Sequence, residues 1–190
     1  MSLPPHPSPK TPDLVLPDGA CDAHCHVFGP GEVFPYSSSA TYRPEDAPKE
    51  KLFALHRHLG LSRSVVVQAS CHGTDNRAMV DALEAGNGNY RGIAMVERDV
   101  TGADLQALHE AGVRGVRFNF VAHLGEAADQ DAVREIVAKI RPFGWHIVVH
   151  FDSHWLEDLA PFLKSLDIVT VIDHMGRIDA SAGVGQQAFQ

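Results

Sequence analysis

The sequence predicts an α/β fold of the (β/α)8 TIM-barrel type, here truncated after about six βα units. Three observations predict it. Short β-rich runs alternate with longer segments whose apolar residues recur at helical spacing, several of them closed by Gly. The β-rich runs, VVVQA and IVTVID among them, are near-continuously apolar, as expected of parallel strands covered on both faces. Polar residues His24, His26, Ser70, Arg117, Asn119, His150, Asp173 and His174 fall at or just beyond the C-terminal ends of successive runs, where a barrel gathers its site. A doubly wound open sheet shares the rhythm but should open on a Gly-rich turn, and DAHCHVFGPGE does not match GxGxxG.

The elements follow in order. Half of the 12 prolines lie in the first seventeen residues, so residues 1–18 read as an extended arm and residues 19–190 as the partial barrel. CDAHCH (21–26) is the first strand, and side chains two apart on a strand share a face, so His24 and His26 point one way with Asp22 one step behind. Helical KEKLFALHRHLG (49–60) leads to strand SVVVQAS (64–70), and NRAMVDALEAG (76–86) to strand RGIAMV (91–96). GADLQALHEAG (102–112) precedes strand GVRGVRF (112–118), and DAVREIVAKIRPFG (131–144) precedes strand WHIVVHF (145–151). SHWLEDLAPFLKSL (153–166) then leads to strand DIVTVIDH (167–174), and RIDASAGVGQQAFQ (177–190) is a loop and the start of a helix. A complete barrel needs eight strands and about 250 residues, so strands 7 and 8 are expected to be missing.

Composition narrows the function. With 44% hydrophobic and 21% charged residues in 190, the chain is long enough for one sizeable core. A formal charge of −8, a pI near 5.8 and no run of Lys or Arg argue against nucleic-acid and anionic-membrane partners. Cys21, Cys25 and Cys71 contain no CxxC pair, which indicates neither a disulfide framework nor a thiolate zinc site and fits a reducing cytoplasm. No apolar run is long enough to span a membrane, and MSLPPHPSPKTPDL lacks the order of a signal peptide.

Five segments, DAHCHVFGP, FPYSSSATYRPEDA, VVVQASCHGTDN, AGVRGVRFNF and VIDHMGR, occur in an order that resembles the 2-pyrone-4,6-dicarboxylate lactonases of the amidohydrolase superfamily. The resemblance implies a barrel hydrolase that opens the ring of an anionic lactone dicarboxylate in the breakdown of lignin-derived aromatics. Such chemistry needs a polarised carbonyl, an activated water and a stabilised oxyanion. By resemblance His24, His26 and His174 surround the scissile carbonyl as catalytic residues. Arg117 and Arg177 hold substrate carboxylates, a task suited to a planar, always-charged fork. Tyr42, Ser70 and, less directly, Thr74 donate hydrogen bonds around the ring, whereas loop hydroxyls elsewhere often only cap turns. The family's general base is an aspartate at the end of strand 8, a strand the chain is expected to lack; Asp173 and Asp75 match other positions.

The resemblance leaves the metal open. The pyrone dicarboxylate branch works without a required cofactor, but the wider superfamily uses a strand-1 HxH pair and further histidines to hold divalent ions such as zinc. His150 stands where a tyrosine is expected and could complete a ligand set of His24, His26, His150 and His174, or could donate to substrate. His123 stands where a basic residue is expected, which would weaken binding of a dianion. Two further readings remain: a metal-dependent hydrolase of another lactone or an amide, and a non-catalytic barrel fragment. Bare strand edges would then favour self-association. Other conspicuous residues read as structural: His56 and His58 as exposed on their helix, His154 and His109 as helix-terminal, Trp145 and Trp155 as packing residues.

Overall fold

A computed structural model describes residues 6–124 and 127–190. Six parallel strands lie side by side in chain order: β1 (Cys21–Cys25), β2 (Arg63–Val67), β3 (Tyr90–Ala94), β4 (Val113–Phe120), β5 (His146–Phe151) and β6 (Thr170–Ile172). The connections carry α1 (Lys49–Leu59), α2 (Arg77–Ala85), α3 (Gly102–Glu110), α4 (Gln130–Ile140) and α5 (Leu156–Ser165). Parallel neighbours need crossover connections, and this unbroken succession makes the half-barrel of a truncated TIM-barrel arrangement. No helix or strand occurs within residues 6–20.

Local chemistry sets the helix limits. Thr101 and Asp104 form a reciprocal capping box at the start of α3, the Asp129 side chain accepts the Ala132 N–H at the start of α4, and α1 stops at Gly60 with φ of +78°.

The two-residue period of the strands sorts the side chains into a structural layer and a functional one. Val116, Phe118 and Phe120 of β4 face outward into the core with Val133, Ile136 and Ile140 of α4 and Ile147, Val149 and Phe151 of β5. At roughly 1.5–3 kcal/mol for each large apolar side chain buried, this sheet-to-helix layer carries most of the folding free energy. The opposite face is apolar only low in the half-barrel, where Val67, Ile93 and Val148 pack together. Gly115 sits at this level because a Cβ there would lie 2.8 Å from the His146 carbonyl and 3.0 Å from Ile93. Above it the same inward positions become Arg117 and Asn119 on β4 and His150 on β5, with Asn119 in register with His150.

Three sequence expectations are corrected here. His56 is buried, 2% exposed, with Nδ1 2.7 Å from the Tyr90 hydroxyl and Nε2 3.1 Å from Asp22 Oδ2. It lies one helical turn after buried Leu52, so both occupy the inward face of α1, and burial is tolerated because both ring nitrogens find partners. Trp155 is 47% exposed beside His154, in the turn before α5 begins. Trp145, by contrast, is buried and donates its indole N–H to His109 Nδ1 at 2.9 Å. Strand β2 ends at Val67, so Ser70 opens a turn rather than closing a strand. At the far edge, Val171 and Ile172 of β6 are half-exposed, and Ile172 flanks an apolar groove of about 700 Å³ with Leu156, Leu163 and Ile168.

Candidate active site

At the C-terminal ends of the strands the chain encloses a cavity of about 520 Å³, lined by His26, Thr41, Tyr42, Ser70, Arg117, His123, Leu124, His150, His174 and Arg177. Five of the six strands contribute, through their own alternation or through the turn that follows. β1 supplies the HxH pair, the turn after β2 supplies Ser70, β4 Arg117, β5 His150, and the segment after β6 supplies His174 and Arg177. The loop between β1 and α1 brings in Tyr42. Of the residues named from sequence, two do not line the cavity: Thr74, whose hydroxyl donates to Glu97 Oε1 at 3.1 Å, and His24, which pairs with Asp173. The turn that aims Ser70 inward has reversed by Thr74.

Asp173 organises the floor of the site, a role the sequence reading did not give it. Only 5% exposed, it places Oδ1 3.0 Å from His24 Nδ1 and Oδ2 2.9 Å from Arg117 Nε, the latter an ion-pair contact in which the N–H does not point at the oxygen. Burial pushes its carboxyl up, but the hydrogen bond from His24 and the Arg117 charge hold it below the usual carboxylate range. Burial in turn pulls Arg117 below its ordinary value, with Asp173 opposing that loss. The signal that could have found Asp173 is its place one residue before His174: a carboxylate at a strand end, facing an inward arginine two strands away.

The tautomers follow from these partners. His24 donates Nδ1–H to Asp173, which leaves a lone pair on Nε2; that nitrogen is buried and has no partner among the described residues. His26 lies 2.8 Å from the Val67 carbonyl through Nδ1, so Nδ1 carries the hydrogen and Nε2 the lone pair. The ring centroids of the two imidazoles are 5.0 Å apart. His150 is the reverse. Arg117 can only donate, so at 3.0 Å the His150 Nδ1 accepts and its Nε2, buried without a partner among the described residues, carries the hydrogen. Burial first, then the Arg117 charge, pushes the His150 pKa down to about 4, and burial does the same for His26. Both imidazoles are therefore neutral at physiological pH.

His174 completes the ring of imidazoles, with centroids 5.1 Å from His24 and 4.8 Å from His150. It begins a run of left-handed backbone, φ of +50° at His174, +51° at Met175, +67° at Gly176 and +51° at Arg177. Only the glycine adopts this conformation without cost, so the other three are held there by their surroundings. One such anchor is visible at the end of the run, where Arg177 Nε lies 2.5 Å from Asp152 Oδ1. On the remaining wall, Ser70 Oγ accepts from Asn119 Nδ2 at 3.2 Å, which frees its own hydrogen for donation. Burial pushes the Tyr42 phenol up to about 12, so it stays a donor. His123 is exposed and its ring lies 5.9 Å from that of His150.

A divalent cation finds a partial fit. His24 and His26 each donate Nδ1–H to a carboxylate or carbonyl and turn a lone pair the other way, the arrangement usual for metal-ligating imidazoles. Ligand atoms of His24, Asp173 and His174 lie within 4.8 Å of one another. His26 and His150 lie outside this cluster, and the bond that His150 accepts from Arg117 makes its Nε2 a donor and sets a guanidinium charge beside it.

Comparison with known proteins places the chain among hydrolase-like relatives. Over 182 residues, 96% of this chain and 60% of the relative, it is 50% identical to a 2-pyrone-4,6-dicarboxylate hydrolase of Comamonas testosteroni. It is 38% identical over 178 residues to a 4-sulfomuconolactone hydrolase of Rhizobium radiobacter, covering 93% of this chain and 60% of that protein. A crystal structure from Acinetobacter baumannii, described as a "probable 2-pyrone-4,6-dicarboxylic acid hydrolase" with citric acid bound, superposes with a TM-score of 0.78 at 27% identity, over 90% of this chain and 64% of that one. The chain thus spans about 60% of the length of these curated relatives. A family model described as amidohydrolase matches residues 21–190, which takes in every strand and the whole cavity, and the chain belongs to the amidohydrolase family.

Proposed function

We propose that the protein is a lactone hydrolase that opens the ring of a pyrone carrying two carboxylates, with 2-pyrone-4,6-dicarboxylate as the substrate, in the cytoplasmic breakdown of lignin-derived aromatics. The observation that carries the proposal is the pairing within one cavity of two guanidiniums, Arg117 and Arg177, with neutral imidazoles. An anionic ring needs the first and a carbonyl attacked by water needs the second. The named activities of the Comamonas and Rhizobium relatives, both lactone hydrolases, and the tricarboxylate bound to the Acinetobacter structure support the same substrate class.

The roles follow from the tautomers. The His150 Nε2–H, the Tyr42 hydroxyl and the Ser70 hydroxyl are donors available to a carbonyl or carboxylate in the cavity. Arg117, buried and held by Asp173, is a fixed cation, which suits stabilising charge that develops on the carbonyl oxygen without reorganisation. Arg177, lining the other side, is the second carboxylate partner. His24 and His26 present lone pairs and can take or orient a water proton. Asp173 is a poor general base, since its carboxyl is held low and both oxygens face cationic or donor groups. We place the base on an eighth strand, in the part of the relatives' length that this chain does not span. A divalent ion held by His24, His26 and His174 would supply a water of lowered pKa.

The test is hydrolysis of 2-pyrone-4,6-dicarboxylate followed by loss of pyrone absorbance, with and without chelator, alongside a neutral pyrone and an amide. Turnover of the dicarboxylate alone supports the reading. Turnover of the neutral pyrone or the amide, lost on chelation, supports the metal-dependent alternative, and no turnover with retained citrate binding supports a non-catalytic fragment.

A further inference from the structure

The loop that carries Tyr42 is tied down by a side chain that touches neither the cavity nor any residue assigned a role above. His72, 2% exposed, lies in the turn after β2, two residues past Ser70. Its Nδ1 is 3.2 Å from the Pro35 carbonyl, which can only accept, so Nδ1 carries the hydrogen; Nε2 therefore has a lone pair and accepts the Gly29 N–H at 3.1 Å. The Tyr36 ring stacks on the imidazole, 4.6 Å between centroids at 24°. Tyr36 then donates its hydroxyl to Asp46 Oδ1 at 2.8 Å, and Asp46 also accepts the Gly31 N–H. Phe28 and Ala47 exchange backbone bonds that close the neck of the loop, and the Ser37 N–H donates to the Cys71 carbonyl at 2.8 Å. One imidazole thus reaches both ends of the 29–35 stretch and, through Tyr36, the far limb at Asp46. Tyr42 lies between the two secured limbs.

We propose that His72 is a positioning residue that locks the loop over residues 28–47 onto the turn after β2, fixing Tyr42 over the cavity beside Ser70. A single turn then sets two substrate donors: Ser70 by its own place in the turn, Tyr42 through the His72 grip on the loop. The kinetic consequence rests on the lactonase reading; the structural one does not. His72→Phe keeps a ring for Tyr36 to stack on and removes both hydrogen bonds, whereas His72→Gln keeps one donor and one acceptor.

The experiment measures amide hydrogen exchange of the full chain. Exchange over residues 29–47 should rise about tenfold or more in His72→Phe, stay near the parent's in His72→Gln, and leave β4 and β5 unchanged in both. Unchanged exchange of the loop, or a rise spread equally over β4 and β5, would overturn the proposal. Should His72→Phe not fold, Tyr36→Leu removes the stack and the Asp46 bond from the exposed side and is read by the same two outcomes. In the kinetic arm, KM for the dicarboxylate should rise in His72→Phe with kcat nearly unchanged, and Tyr42→Phe should add nothing to that rise. Multiplying effects would mean that His72 does not act through Tyr42. Absence of turnover in the parent would overturn the lactonase reading and leave the exchange result to decide the role of His72.

Discussion

Replacing Asp173 with Asn tests the electrostatic core of the site. The substitution keeps shape and removes one charge from a carboxylate that faces Arg117 Nε at 2.9 Å and His24 Nδ1 at 3.0 Å, with both Asp173 and Arg117 only 5% exposed. Arg117 cannot shed its proton, so its charge is left in the protein interior with only neutral neighbours. Removing one member of a buried pair costs about 3–5 kcal/mol, most of it the desolvation of the charge that remains. Against a total stability of about 5–15 kcal/mol this is a large fraction. With a urea m-value of about 2 kcal/mol/M, the midpoint should fall by about 1.5–2.5 M. Adding Arg117→Met to Asp173→Asn removes the stranded charge, so the double variant should be more stable than Asp173→Asn alone by at least about 1 kcal/mol. Urea titration followed by circular dichroism measures all three proteins. A shift below about 0.5 M in the single variant, or a double variant that simply sums the two losses, would refute the assignment of Asp173 as the counter-charge that makes a buried arginine tolerable.

Further outcomes follow from the same geometry. Arg117→Met should raise KM for the dicarboxylate and lower kcat/KM by the equivalent of roughly 2–4 kcal/mol, measured by initial rates; unchanged kinetics would remove it from the carboxylate site. Stability should fall as pH drops from about 6.5 toward about 4, because the unfolded chain takes up protons that neutral His26 and His150 refuse, worth up to about 2 kcal/mol for each by pH 5. Urea midpoints at pH 7 and pH 5 check this, and an equal or higher midpoint at pH 5 would contradict it. Zinc titrated into chelated protein should bind through His24 and His26 and be lost in His24→Ala but not in His150→Ala, as read by calorimetry; loss in both would restore the four-histidine set. Val171→Lys on the exposed edge of β6 should reduce any self-association seen by light scattering, since edge charges oppose strand pairing.

Much of this was legible in the sequence, and what was missed has physical causes. Near-continuous apolar runs broken by helical patterns give parallel strands and crossover helices without further help, because both faces of such a strand must be covered. The inward direction of Arg117 and His150 follows from counting by two from Gly115 and from His146. What a linear pattern does not carry is which inward group meets which. His56 read as exposed because a helix period distinguishes two faces but does not say which one meets the sheet; the decision rests with Tyr90 and Asp22, 34 residues away on either side. Thr74 read as a substrate neighbour because a turn's direction is set by its dihedral angles, and Gly73 at φ of +57° sends the chain away from the cavity.

His150 shows how far partner geometry outweighs residue type. A histidine at the end of β5 offers a metal ligand, a base or a donor with equal chemical ease, and the sequence reading kept the ligand and the donor open. Arg117, two residues before Asn119 and therefore on the same face of the neighbouring strand, settles it: a guanidinium has no acceptor, so the nitrogen facing it must hold the lone pair and the opposite nitrogen the hydrogen. The Nε2–H then has no partner among the described residues and is a buried donor left for a substrate oxygen. His24 and His26, identical in type, are set the other way by a carboxylate and a carbonyl. Three imidazoles thus divide into one donor and two lone-pair groups through their neighbours alone, which is the division of labour that water attack on a polarised lactone carbonyl demands.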